Sequence, residues 1–452
     1  MKRPNIIFYF SDQQRWDTLG CYGQQLPVTP NLDRVAAEGV KFEYAFTCQP
    51  VCGPARACLQ TGRYATEVGC YRNAQALPEN IDTIADYFNQ AGYETAYVGK
   101  WHLASNRESY FAPPDEENFE KRAIPKARRG GYRDYWMAAD VLEATSHGYN
   151  GYVFGKENEK HNFIGYRADA INNYAIEYLH QYNGENPFFL FVSQIEPHHQ
   201  NDRGIFEGPD GSKKKFGDFK TPFDMVKGVG DWEKNYPDYL GQCHSLDENV
   251  GRLIDTLKEY ELWDNTILFY TSDHGCHFCT RNNEYKRSCH EASIRVPLLA
   301  VGGPFKGGRT ISNLVSLIDL PVTLLDCAGI ARPKHFQGHS LKALVDGTIK
   351  EWNDCVFLQI SESEVGRAIR TKKWKYEISA QLDGWKNAGA KVYYETLLYD
   401  LEEDPAEKNN LASDIQYEKI RKELAEQMKK CMAEAGEEIP IILPAPRKES
   451  GL

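Results

Sequence analysis

Four short, mostly apolar runs recur along the chain, and each stops at a polar cluster. They are "NIIFYF" before Ser11 and Asp12, "ETAYVG" before Lys100 to His102, "PFFLFV" before Ser193 to His199, and "TILFYT" before Ser272 to His274. Compact runs of this length predict strands buried on both faces. Between them, apolar positions return every three or four residues in "NLDRVAAEGV", "TIADYFNQAG", "RADAINNYAIEYLHQY" and "HSLDENVGRLIDTLKEY", the period of an amphipathic helix. Strand and helix alternate. The expected fold class is therefore α/β, a doubly wound and mostly parallel sheet.

In such sheets ligands bind beyond the carboxyl ends of the strands, where side chains from several strands converge. The four polar clusters sit at those ends, so Asp12, Lys100, His102, His198, Asp273 and His274 are expected on one rim. Past residue 345 the pattern changes to short β-like pieces, "CVFLQIS", "RAIRTKKWKYEIS" and "TLLYDL", then a charged amphipathic stretch over 415–434. This predicts a catalytic domain over 1–345 and a smaller α+β subdomain over 346–452 with an antiparallel sheet and a helix. Residues 105–165, rich in Tyr, Gly and charge with weak periodicity, read as long loops beside the site.

The chain's 452 residues and 41% apolar content suffice for a large core. A formal charge of -11 leaves no broad basic field for nucleic acid or an anionic membrane, so any anionic substrate must be met by local cations or a metal. Twelve cysteines without a small-scaffold spacing suit free thiols in a reducing compartment, and the six-residue apolar run at the start is too short for a signal peptide. A cytoplasmic, membrane-free protein is expected.

Each chemical candidate also has a plain reading. Asp12 with Gln13 and Asp273 with His274 make a compact divalent-cation site of oxygens and one imidazole, or two ordinary strand-end turns. Lys100 and His102 point the same way on an extended segment, or are a surface lysine and a packed histidine. His198 and His199 follow a proline, with one functional and the other packing. Lys286 reads as solvated by composition. Cys276-x-x-Cys279, with His277, Cys289 and His290 nearby, hints at zinc but lacks a second pair. The stretch "QPVCGPARACLQTGRY" sets Cys52 four residues before Arg56, either a thiolate held by a cation or a structural cysteine.

In order and spacing these pieces resemble the type I sulfatases of the alkaline-phosphatase-like superfamily. The signature C-x-P-S/A-R-x-x-x-L-x-T-G stands as Cys52, Pro54, Ala55 and Arg56, then Leu59, Thr61 and Gly62, each one place early. "PNIIFYFSDQQR", "GYETAYVGKWHL", "SDHG", "LIDLPVTLLDCAGI" and "LYDLEEDPAEKNNLA" extend the likeness over nearly the whole chain. The resemblance implies that a maturation enzyme oxidises Cys52 to formylglycine, whose hydrated aldehyde attacks the sulfur of a sulfate ester. It implies Asp12, Gln13, Asp273, His274 and the Cys52 position as metal ligands. Calcium is the expected ion, with manganese as the alternative because one donor is nitrogen. Arg56 would hold the nucleophile, Lys100 and Lys286 would grip sulfate oxygens, His102 would take the elimination proton, and His198 would serve sulfate or the leaving oxygen. Arg72, Trp101 and His147 are candidate substrate contacts.

The resulting expectation is a sulfuric ester hydrolase acting on a sulfated saccharide or an aryl sulfate. Gln13 where many sulfatases carry a second aspartate is similar to the phosphonate monoester hydrolase and choline-sulfatase branch. It keeps a phosphonate monoester or phosphodiester hydrolase as the alternative. A binder of sulfated glycans without catalysis would be expected to have lost part of this set.

Overall fold

The computed structural model describes residues 3–107, 117–349 and 351–445. Its centre is five parallel strands in the order Thr266–Ser272, Asn5–Ser11, Phe188–Ser193, Glu94–Lys100, Tyr135–Ala139. Side chains alternate between faces along each strand. Ile6, Phe8 and Phe10 enter one apolar core, while Ile7 and Tyr9 enter the other. Both faces are covered, which is why these strands read as unbroken apolar runs rather than alternating ones. One core takes the helices Arg167–Gln181 and Trp232–Glu259, and the other takes Cys52–Thr61, Ile84–Gln90 and Asp319–Cys327.

Further strands, mostly antiparallel, extend the sheet to twelve among the described residues, beginning with Leu298–Val301 on one side and including the hairpin Asn150–Phe154 with Lys160–Ile164 on the other. The expectation of loops over 105–165 is thus corrected: Tyr135–Ala139 is a core strand, and the Asn150 hairpin is paired. Five residues of "YWMAA" are too few to declare a period. The long helix also begins at Trp232, well before the pattern at His244, because Pro237 in its second turn masked the start.

The second sheet has five strands, from Cys355–Ile360 through Val392–Asp400 to Ile441–Leu443. Its pairs are antiparallel apart from the last, which is parallel. Phe357, Ile369, Tyr376 and Leu398 from this sheet, with Met428 and Met432 from the helix Glu418–Glu434, belong to the same apolar core as Phe8 and Phe191.

Candidate active site

Strand register assembles the first pair. Ser11 lies opposite Ser272, so Asp12 and Asp273 leave neighbouring strand ends side by side. Asp273 Oδ1 accepts from the backbone N–H groups of Gln13 (3.0 Å) and His274 (2.9 Å), which fixes its carboxylate. Cys52 opens a ten-residue helix whose third residue, Pro54, lies in the first turn, where its missing N–H costs nothing. Asn73 Oδ1 accepts from Gly53 N–H at 2.9 Å and ties down that end. Cys52 and Arg56 stand one turn apart on one helix face. Hence the C-x-P-x-R order puts sulfur and guanidinium over the same strand ends.

Arg56 donates to Asp12 Oδ2 (3.1 Å), Asp273 Oδ2 (3.3 Å), the Lys100 carbonyl (3.0 Å) and Ser193 Oγ (2.7 Å). Lys100 Nζ lies 2.9 Å from Asp12 Oδ2 and 3.1 Å from Glu143 Oε1. Gly99, at φ +102°, lets this strand end pass Ser193: a Cβ there would fall 1.9 Å from the Ser193 carbonyl. Lys286 Nζ reaches Cys52 Sγ (2.8 Å), His198 Nε2 (3.0 Å) and Gln13 Oε1 (3.4 Å). Gln13, His102 and Arg287 all adopt positive φ, a strained conformation for non-glycine residues.

Charge follows geometry. Burial would raise the Cys52 thiol, but Lys286, then Lys100 and His274, outweigh it and hold the group well below the usual thiol range. Burial and the neighbouring Asp12 push Asp273 up to about 6. Burial raises and Lys100 more than offsets it at Glu143, which sits at about 2. Burial and then Lys286 lower His198.

The residues fit a divalent cation. Ligand atoms of Asp12, Cys52, Asp273 and His274 lie within 4.8 Å of one another, all buried. The His274 Nδ1 faces the Gly275 carbonyl at 2.9 Å; a carbonyl only accepts, so Nδ1 carries a proton and Nε2 is the nitrogen turned toward the carboxylates of Asp12 (3.7 Å) and Asp273 (3.5 Å). Two adjacent buried carboxylates, one of them pushed up, are what a bound cation would relieve.

A cavity of about 460 Å³ opens over Cys52 and is bordered by His102, His198 and Lys286. The expected substrate contacts lie elsewhere. Trp101 is fully buried, edge-on to Tyr97, Tyr132 and Trp136, and belongs to the core. Arg72 stacks on Trp385 and bonds the backbone of Asn73 and Ala74. His147 pairs with Asp202. None of the three borders the cavity; Asn73, Ser105, Glu120, Asn201 and Tyr285 do. His199 packs on Tyr285, rings 4.1 Å apart, as the packing partner of His198. The zinc reading is not supported: Cys276 Sγ accepts from the Gln13 amide, and among the described residues no metal-like group forms there. Glu143, in no motif, went unnoticed; its only sequence signal is a carboxylate soon after the apolar "YWMAA".

Comparison with known proteins decides the family. The Sulfatase family model matches residues 4–330, and a second, for the N-sulphoglucosamine sulphohydrolase C-terminal region, matches 283–434. The chain belongs to the sulfatase family. This sulfatase is 31% identical to the uncharacterized sulfatase YidJ of Escherichia coli, covering 94% of this chain and 86% of that protein. It is 28% identical to an N-acetylglucosamine-6-O-sulfatase of Bacteroides thetaiotaomicron, covering 94% and 85%. The crystal structure of the yidJ protein from Bacteroides fragilis superposes with TM-score 0.81 at 27% identity over 97% of both chains. A phosphonate monoester hydrolase of Agrobacterium radiobacter shares the fold, with TM-score 0.75 at 23% identity over 96% of each. The chain is thus a sulfuric ester hydrolase on the alkaline-phosphatase-like fold.

Proposed function

We propose that this sulfatase hydrolyses the sulfate monoester of a small saccharide through a formylglycine formed from Cys52. The observation that carries the reading is the convergence of Lys286, Lys100, His198 and His102 on the Cys52 position beside the buried carboxylates. Asp12, Gln13, Asp273 and His274 would hold calcium, or manganese. When present, the converted side chain and the cation supply an ionised hydroxyl as nucleophile and a Lewis acid for the ester oxygens.

Arg56 keeps Asp12 and Asp273 aligned, both on its Nη2. Lys286 Nζ, already against the Cys52 sulfur, is placed to take a sulfate oxygen, and Lys100 Nζ, held between Asp12 and Glu143, would take another. The His198 Nδ1 proton is committed to the His199 carbonyl at 2.6 Å, so its Nε2 faces Lys286 and the ester. His102 borders the cavity beside Cys52 and is the candidate to accept and hold a proton there. The cavity volume suits a monosaccharide-sized leaving group, consistent with a relative named for a sulfated amino sugar. A cytoplasmic site of action belongs to the same proposal; all twelve cysteines are unpaired thiols, which suits a reducing compartment.

The competing reading, phosphonate monoester or phosphodiester hydrolysis, draws on Gln13, an amide where a carboxylate would add negative charge. Protein co-produced with a formylglycine-generating enzyme should be assayed on sulfated monosaccharides, an aryl sulfate, a phenyl phosphonate ester and a phosphodiester. The highest kcat/KM is expected on a sulfate ester, abolished by chelation and restored by calcium or manganese. A phosphonate or phosphodiester substrate turned over better than every sulfate would replace this reading with the alternative.

A further inference from the structure

Glu143 borders the same cavity as Cys52. It stands on the one-turn helix Leu142–Thr145 after the strand Tyr135–Ala139, in which Ala139 lies opposite Lys100. That register sets the carboxylate beside the lysine, and Gln200 Nε2 fixes the turn from behind by donating to the Glu143 carbonyl at 2.9 Å. The side chain is 6% exposed. One oxygen meets Lys100; the other, Oε2, is buried and receives no hydrogen bond among the described residues. Its charge is therefore only partly answered by the protein.

Around this pocket the buried carboxylates Asp12, Asp140, Asp273 and Glu143 face the buried cations Arg56, Lys100, Lys286 and Arg287. Gln13 adds no charge. Remove Glu143, and the same pocket gains one net positive charge. Sulfate monoesters, phosphonate monoesters and phosphodiesters each present one negative charge to such a pocket, whereas a phosphate monoester is mostly dianionic above its second pKa of about 6.

Resting on the ester-hydrolase reading above, we propose that Glu143 is a specificity-determining residue: its carboxylate beside Lys100 matches the pocket to singly charged esters and turns away dianionic phosphate monoesters. A fixed charge a few ångströms from the bound anion is felt about twice as strongly by a dianion as by a monoanion, because Coulomb energy scales with the product of the charges.

The test uses Glu143→Gln, which keeps the shape and an oxygen for Lys100, and Glu143→Asp, which keeps the charge. kcat/KM is measured for 4-nitrophenyl sulfate and 4-nitrophenyl phosphate at pH 8, and calorimetry measures binding of inorganic sulfate and inorganic phosphate. In Glu143→Gln the sulfate-to-phosphate ratio is expected to fall by roughly tenfold or more, in turnover and in binding, as one pocket charge is lost. Glu143→Asp should keep the wild-type ratio even where both rates drop. Equal losses on both esters in Glu143→Gln would mean that the residue only positions Lys100, and would overturn the proposal. So would the same change of ratio in both variants. Wild-type protein that hydrolyses neither of these esters, nor any of the sulfated monosaccharides, phosphonate esters and phosphodiesters above, would defeat the ester-hydrolase reading instead, while the calorimetric ratio would still decide the role of Glu143.

Discussion

Two clusters of buried charge occupy this molecule, and they differ in how completely they pair. Near the second sheet, Lys375 Nζ donates to Glu291 (2.8 Å) and Glu407 (2.5 Å), and Arg370 donates to both oxygens of Glu291. Each charge there is met by an opposite one. Around Cys52 the charges are just as buried, yet Glu143 Oε2, His102 Nδ1 and Arg56 Nε have no hydrogen-bond partner among the described residues. Asp273 is pushed up to about 6 by burial and Asp12. Burial of charge is thus not what marks a functional site. What sets the Cys52 site apart is that Glu143 Oε2 and His102 Nδ1 are left without partners beside the cavity over Cys52, where a ligand would supply them.

The sharpest way to break this contrast is Cys52→Ala. Sulfate release should fall by roughly 10³-fold or more, as for loss of any covalent nucleophile, while the thermal midpoint barely moves. A variant that retains its rate would place the chemistry elsewhere. Next comes Lys375→Met, which strands Glu407 in a buried position and should cost about 3–5 kcal/mol in urea unfolding. Hydrolysis per folded molecule should stay within about threefold, the Lys375 cluster being stability alone. A collapse of the rate without loss of stability would erase the distinction between the clusters.

The smallest effect concerns a carboxylate with no ion partner. Among the described residues Asp319 accepts only from the backbone N–H groups of Ser316 and His339, and burial raises it from 3.8 to about 6. Glu143, equally buried but beside Lys100, moves the opposite way. Between pH 3.8 and about 6 the folded protein holds a proton on Asp319 that the unfolded chain has lost. Stability therefore falls as pH rises through that window, on the order of 1–3 kcal/mol. Relative to wild type, Asp319→Asn should remove this slope in pH-dependent denaturation. An unchanged slope would mean that the two backbone bonds offset the burial.

The strand ends were legible because burial on both faces leaves nothing but apolar residues up to the polar stop. For the same reason Asp12, Lys100, His198 and Asp273 could be placed on one rim, although only the register of Ser11 with Ser272 makes neighbours of two of them. Lys286 looked solvated, and only the family likeness singled it out; it is brought in by a loop that closes over Cys52. Glu143 was invisible: its partner is Lys100, 43 residues away, and no local period encodes a contact between adjacent strands. Trp101 erred the other way. An aromatic beside two candidate catalytic residues suggested a substrate contact, but its side chain turns into the core against Tyr97 and Trp136.

The most direct measurement is the mass of the peptide containing Cys52, from protein made with a formylglycine-generating enzyme, read alongside sulfate release by the same preparation. An aldehyde in place of the thiol, in a fraction that tracks the sulfatase rate, is the predicted result. An intact, alkylatable cysteine in fully active protein would contradict it, and would require the Cys52 site to work as a thiolate.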